Sequence, residues 1–173
     1  MPSKIVICLR NVRGIARRKG GRRTMRAVVQ RVKKASVKVN GDIRDSISRG
    51  ILVLVGVEKG DDDSDIEYIA SKVTEMRVFD DREGKMNLDV KETGGSILIV
   101  SQFTLHGDLR KGRRPSFGSA ERPEMARELF DTLIKKIEER GVKAGRGEFQ
   151  THMDIELVND GPVTILLDSR RRF

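Results

Sequence analysis

At 173 residues, with 37% hydrophobic and 35% charged content, the chain suits one domain with a moderate core. No apolar run approaches the roughly 20 residues that cross a bilayer. Ile5-Val6-Ile7-Cys8-Leu9 is also shorter than a secretory core of about 7–15 residues, so neither a span nor an export signal is expected. The lone cysteine, Cys8, excludes an intramolecular disulfide framework and fits a reducing, cytoplasmic compartment.

The net charge of +9 belongs to the amino-terminal end. Residues 1–24 hold Lys4, Arg10, Arg13, Arg17, Arg18, Lys19, Arg22 and Arg23 with no Asp or Glu. Removing those eight from the 35 basic residues leaves 27 against 26 acidic ones, so residues 25–173 are nearly neutral. A near-neutral body lacks the charge excess of a broad nucleic-acid surface, but it allows a small footprint on the end of an RNA. Residues 1–24 read as a basic extension, either a disordered tail that contacts RNA or the result of a start assigned upstream of Met25. Gly14, Gly20 and Gly21 weaken any amphipathic transit helix there. Residues 25–173 read as a single domain.

From Arg26 the pattern is β. Ala27-Val28-Val29 and the alternating Ala35-Ser36-Val37-Lys38-Val39 lead to Asn40-Gly41, a two-residue hairpin signal, with 42–48 returning antiparallel. Ile51-Leu52-Val53-Leu54-Val55 is the continuous apolar run of a central strand. Asp61-Asp62-Asp63-Ser64 offers helix caps, and Ile66, Ile69, Ala70, Val73 and Met76 recur at helical spacing. Turns at 80–84 and 93–95 precede a strand over 96–101. Residues 106–121 form a polar, glycine-rich loop of a length that is more often functional than idle. Pro123 opens a second helix, whose apolar face is Met125, Ala126, Leu129, Phe130, Leu133, Ile134 and Ile137, and Gly141 ends it. Strands near 142–149, 153–158 and 163–168 complete an α+β domain with a mostly antiparallel, barrel-like sheet and two main helices.

Familiar catalytic groups are scarce. The two histidines, His106 and His152, are far apart in the chain, and no His/Cys cluster is spaced to hold zinc. His106 reads as a solvated loop histidine more readily than as a base for Ser101. No phosphate-binding glycine motif is present, so neither a metal nor a nucleotide cofactor is expected. An activated ester needs only modest help, and backbone N–H groups aimed at an oxyanion can supply most of it. A strand ending in Ser101-Gln102-Phe103-Thr104 can present such groups, with the Thr104 hydroxyl as a competing nucleophile. Phe117 and Phe149 are candidate stacking platforms for a single-stranded base, although both also suit a core. Arg113 and Arg114 suit phosphate contacts or plain solubility. On chemistry alone, Gly161-Pro162 between two strand-like runs reads as a tight turn.

Taken together, Ser101-Gln102-Phe103-Thr104 and Asn159-Asp160-Gly161-Pro162-Val163-Thr164 resemble the paired signatures of the D-aminoacyl-tRNA deacylase family. Gln30-Arg31-Val32, Val57-Glu58-Lys59, Gly84-Lys85-Met86-Asn87 and Arg114-Pro115-Ser116-Phe117 stand in that family's order, so the likeness covers residues 25–173. It implies hydrolysis of D-aminoacyl-tRNA, and of glycyl-tRNA mischarged on alanine tRNA, without metal or cofactor. Residues 101–104 would cradle the ester, and the terminal ribose hydroxyl would assist. Gly161-Pro162 would form a Gly-cis-Pro element that reaches into a partner subunit and rejects L substrates, which makes a homodimer obligatory. The resemblance further implies that Arg31 holds that element, where the residue alone reads as an exposed strand arginine. Met86 would line the pocket, where it otherwise reads as core filling. Arg114, Phe117 and Phe149 are the expected contacts to the tRNA end. A nucleic-acid-binding module with an idle pocket is the rival from another class.

Overall fold

The strand β1, Arg26–Val39, organises the molecule because three other strands pair with it. A computed structural model of the chain describes residues 24–172. The basic extension read at 1–24 therefore lies, except for Thr24, outside the described residues. Asn40 and Gly41 both have positive φ, 52° and 88°, the turn that matches strand twist, and they return the chain as β2, Asp42–Ile47. β3, Gly50–Gly56, pairs with the first half of β1 on the same edge. The long last strand β8, Asp154–Asp168, runs antiparallel along the opposite edge.

β3 and β6, Ser96–Ser101, are parallel, and so are β6 and β7, Ala144–Arg146. Parallel neighbours need crossovers, and the helices α1, Asp63–Glu75, and α2, Pro123–Glu139, lie in them. Between α1 and β6 lies a small hairpin, β4 Phe79–Asp80 with β5 Met86–Leu88, wrapped around the expected turn at 80–84. The sheet is mixed but mostly antiparallel. It curls until β2 meets β7, where the Asp45 carboxylate accepts the Arg146 N–H at 2.9 Å, so the barrel is nearly closed.

Side chains alternate across a strand, so a run that is apolar at every position must be covered on both faces. Ile51, Val53, Val55, Ile97 and Ile99 face the helices and pack with Ile66, Ile69, Val73, Phe130, Leu133 and Ile137. Leu52, Leu98 and Val100 face the barrel interior with Val32, Val37 and Ile47. Asp62 caps α1 in a reciprocal box with Asp65. Pro123 occupies the first turn of α2, and Gly141, at φ 80°, follows its end. Among the described residues no helix is long and apolar enough to cross a membrane.

Two expectations need correction. Residues 153–158 and 163–168 are not separate strands joined by a Gly-Pro turn; both halves pair with β1 as one strand. Thr164 stands opposite Gln30 and Asn159 opposite Val32, so residues 160–163 bulge out against the single residue Arg31. A bulge is where a sheet edge tolerates Gly and Pro, because no ladder bond is required there. The second correction concerns His106, which is 2% exposed and not solvated. It ends the short 3-10 turn Phe103–His106, with its ring against Gly56, where a Cβ would come within 2.9 Å of Nε2.

Candidate functional site

A cavity of about 450 Å³ opens where the carboxyl ends of β3 and β6 meet the start of α2. Carboxyl ends of parallel strands are a common place for ligands, because the chain leaves the sheet there and frees its backbone groups. Val55, Val57, Ser101, Gln102 and Phe103 form one side of the cavity, and Ala126, Phe130 and Phe149 the apolar back. Phe117 closes the loop side, edge-on to Phe103 at 5.1 Å between ring centres. Phe149 packs on Phe130 and carries the Arg127 guanidinium 5.0 Å above its ring. The two aromatic candidates are thus both half-buried walls of one cavity.

The turn beside this cavity is pinned at its base. Gln102 N–H donates to Val55 O at 2.7 Å, and Leu105 N–H donates back to Gln102 O at 3.2 Å. The N–H groups of Phe103 and Thr104 open the 3-10 turn and donate to no protein acceptor among the described residues, as expected for the first donors of a helical turn. The Gln102 amide donates to the Thr104 hydroxyl, and Thr104 is exposed. No histidine lines the cavity. Burial pushes the His106 imidazole below its ordinary pKa, the Gly56 backbone opposes this, and the Arg26 charge adds to it. A ring held neutral and enclosed in this way has no hydrogen bond to Ser101.

Sequence reasoning missed the rim formed by Lys59, Glu121 and Arg122. Lys59 reaches across to Gly118 O at 2.7 Å, and its N–H bonds Ser119 O at 2.9 Å, which clamps the loop carrying Phe117 onto the segment that follows β3. Burial pushes the Glu121 carboxyl up, but the N–H groups of Arg122 and Gly60 and the charges of Arg122 and Lys59 hold it below the usual range. The Val57-Glu58-Lys59 motif was the available signal. Arg114 and Arg113 are exposed in the loop and make no ion pair among the described residues. Among those residues no group of three or more His, Cys, Asp or Glu is arranged to hold a metal.

The second set of candidates lies apart from this cavity, at the β8 bulge. Gly161 and Pro162 are exposed, and the peptide between them is cis. Arg31 is buried, not an exposed strand residue: its Nε donates to Asp160 O at 3.1 Å and its Nη1 to Val78 O at 2.6 Å. The carboxylates of Asp160 and Asp80 flank it at 3.4 and 3.6 Å. Gln30 fastens both feet of the bulge, donating to the Asn159 side chain and accepting from the Thr164 hydroxyl at 2.5 Å. Met86, opposite Asp80 in the β4–β5 hairpin, is 58% exposed. Arg31, Met86, Gly161 and Pro162 are therefore absent from the lining of this chain's own cavity.

Comparison with known proteins gives the family. A family model described as D-Tyr-tRNA(Tyr) deacylase matches residues 28–168. A D-aminoacyl-tRNA deacylase of Koribacter versatilis (strain Ellin345) is 54% identical over 149 residues, 86% of this chain and 100% of that protein. One from Kosmotoga olearia is 55% identical over the same shares. Among solved structures, the c-Myc DNA unwinding element binding protein superposes with a TM-score of 0.78 at 38% identity, covering 82% of this chain and 97% of that one. A probable eukaryotic D-amino acid tRNA deacylase has the same fold, with a TM-score of 0.73 at 19% identity over 84% and 99% of the two chains.

Proposed function

Because the chain belongs to the D-Tyr-tRNA(Tyr) deacylase family, and is with it a hydrolase of the D-aminoacyl-tRNA ester, we propose a division of labour between its two groups of residues. The cavity takes the aminoacylated 3′ end of the tRNA, with the terminal base between Phe117 and Phe149. The turn at Gln102–Thr104 receives the ester carbonyl. Water attacks the carbonyl carbon, the oxyanion is met by the N–H groups of Phe103 and Thr104, and the C–O bond to the ribose breaks. The neighbouring ribose hydroxyl of the substrate takes a proton from the attacking water as it passes its own to the leaving oxygen, releasing free tRNA and the amino acid. Donors held in place before the charge develops need no reorganisation, and with the ribose hydroxyl carrying the proton the step uses no side-chain base.

Chiral choice falls to Gly161-Pro162, with Arg31 holding it. Backbone carbonyls at a fixed position accept the α-ammonium of a D substrate, whereas an L substrate drives its side chain into main chain. Glycine has no side chain to clash, and glycyl-tRNA mischarged on alanine tRNA is hydrolysed as well. Since these residues lie outside the cavity of their own chain, the element works in a partner copy, and the active species is a two-fold homodimer. The observation that carries the proposal is the pair of unmet N–H groups, on Phe103 and Thr104, beside an aromatic-walled cavity. The test is hydrolysis of one tRNA charged with the D or the L form of the same amino acid. A preference for D of about 10²-fold or more is expected, the scale on which misfit to a rigid polar site discriminates. Equal rates would sink the chiral reading.

A further inference from the structure

The turn at Phe103–His106 is only partly buried. Phe103 is 58% exposed, Thr104 is exposed, and only His106 is buried. A partly exposed segment that must keep two donors aimed gains from directional tethers, and one of them comes from β1, separated from β6 by β3. Arg26, at the start of β1, donates from Nη1 to Leu105 O at 3.1 Å, the only hydrogen bond its side chain makes among the described residues. Its place is fixed by register: Asp168 stands directly opposite on β8 and Gly56 opposite on β3. The Asp168 side chain is fully buried, with Oδ2 3.7 Å from Arg26 Nε. Neither of those atoms has a hydrogen-bond partner, so the carboxylate acts on the guanidinium through charge and leaves Nη1 for the turn.

We propose that Arg26, oriented by Asp168, is a positioning residue for deacylation: it holds the turn at Leu105 O so that the Phe103 and Thr104 N–H groups stay aimed at the oxyanion. This inference rests on reading that turn as the ester cradle. A guanidinium is suited to the task because its charge does not titrate and its donors are rigid. Misplacing catalytic groups by about 1 Å can cost about 10²-fold in rate.

Arg26→Met keeps the apolar stem and removes the donor. Full-length homodimer carrying it is expected to lose about 10- to 100-fold in kcat on D-aminoacyl-tRNA, while KM and the affinity for uncharged tRNA change by less than about twofold. Arg26→Lys, which restores a charged donor, is expected to recover most of the rate. Should Arg26→Met fail to fold, Asp168→Asn decides, since it keeps shape and removes the charge; a fall in kcat with KM unchanged is expected there too. Unchanged kcat in the variant that folds, a loss shared between kcat and tRNA affinity, or no recovery with lysine would each overturn the proposal. A wild-type protein inactive on D-aminoacyl-tRNA would instead overturn the functional reading itself.

Discussion

Gly161 shows most directly how one residue type shapes the β8 bulge. Its φ is 137°, where L side chains are strained, and an added Cβ would lie 2.7 Å from the Val163 nitrogen and 3.0 Å from its Cγ2. Main chain cannot yield as a flexible side chain can, so Gly161→Ala must move the bulge. Gln30 and Arg31 should keep its feet in place, and the protein should still fold. We expect the D-over-L rate ratio to fall by about tenfold or more, the discrimination that a displaced contact of about 1–3 kcal/mol carries. Rates for the two enantiomers on one tRNA read this directly. At Thr104 the expectation is the reverse. Its hydroxyl accepts from Gln102 and has no other hydrogen-bond partner among the described residues, so Thr104→Val should keep kcat within about tenfold, the loss of one modest hydrogen bond. A drop of about 10³-fold, the scale of a lost catalytic donor, would instead assign the chemistry to the hydroxyl.

Among elements, the approach to α1 carries an unusual carboxyl. Asp61 is 7% exposed; its Oδ2 accepts the Glu58 N–H at 2.7 Å, while Oδ1 has no partner. Burial pushes its pKa up to about 7, the Glu58 N–H opposes this, and the Asp65 and Glu58 carboxylates add to the rise. The folded state therefore binds a proton that the unfolded chain has released between about pH 4 and pH 7. Stability from this group falls as pH rises through that window and is level above it. Asp61→Asn keeps the acceptor for Glu58 and removes the ionisation. Its stability relative to wild type should be greater at pH 8 than at pH 5 in urea unfolding, and an equal difference at both pH values would contradict the assignment.

The same scale shows what sequence could and could not reveal. The Asn40-Gly41 hairpin, the Asp62 cap, the runs at 51–55 and 97–100 and the α2 face were legible because each depends on residues within a few positions. The continuity of β8 was not. Residues 160–163 can bulge only because Arg31 and Gln30, far away in sequence, supply partners for the feet, so local chemistry suggested a turn instead. The burial of His106 is hidden from the sequence for a similar reason: it depends on Gly56 lacking a side chain. β4 and β5 hold two and three residues, too few to show a period. Ser101, Gln102, Phe103, Phe117 and Phe149 are legible as candidates, but that they share one cavity emerges only from the fold, with Thr104 in the turn beside it.

For the whole molecule, the unpaired side of β8 bears on assembly. Among the described residues the strand pairs with β1 alone, and it exposes Val158, Ile165 and Leu166 at 41%, 36% and 38%. Long edge strands with apolar faces invite a second chain, and native proteins cover them. A partner seated there would also explain why the bulge and the cavity lie apart in one protomer. Sedimentation at assay concentration should give a dimer, and a fully active monomer would contradict the proposal that the site is completed in trans.

The amino-terminal boundary is the remaining question at this scale. Thr24 and Met25 are fully buried; the Thr24 N–H meets the Glu58 carboxylate at 2.6 Å and the Met25 N–H meets Ser169 Oγ at 3.0 Å. A chain beginning at Met25 would place its α-ammonium at Ser169, within the seam that also holds the Glu58 and Asp65 carboxylates, which suits a positive group. We propose that this shorter chain folds, dimerises and keeps its preference for D substrates. What it should lose is charge: eight Lys and Arg residues precede Thr24 without an acidic neighbour. Each phosphate they neutralise adds about 0.7–0.9 to the slope of log affinity against log salt. The truncated chain should therefore bind tRNA more weakly at low salt, with a shallower slope and unchanged kcat for bound substrate. Loss of folding or of chiral preference on truncation would mean that residues before Met25 are part of the domain.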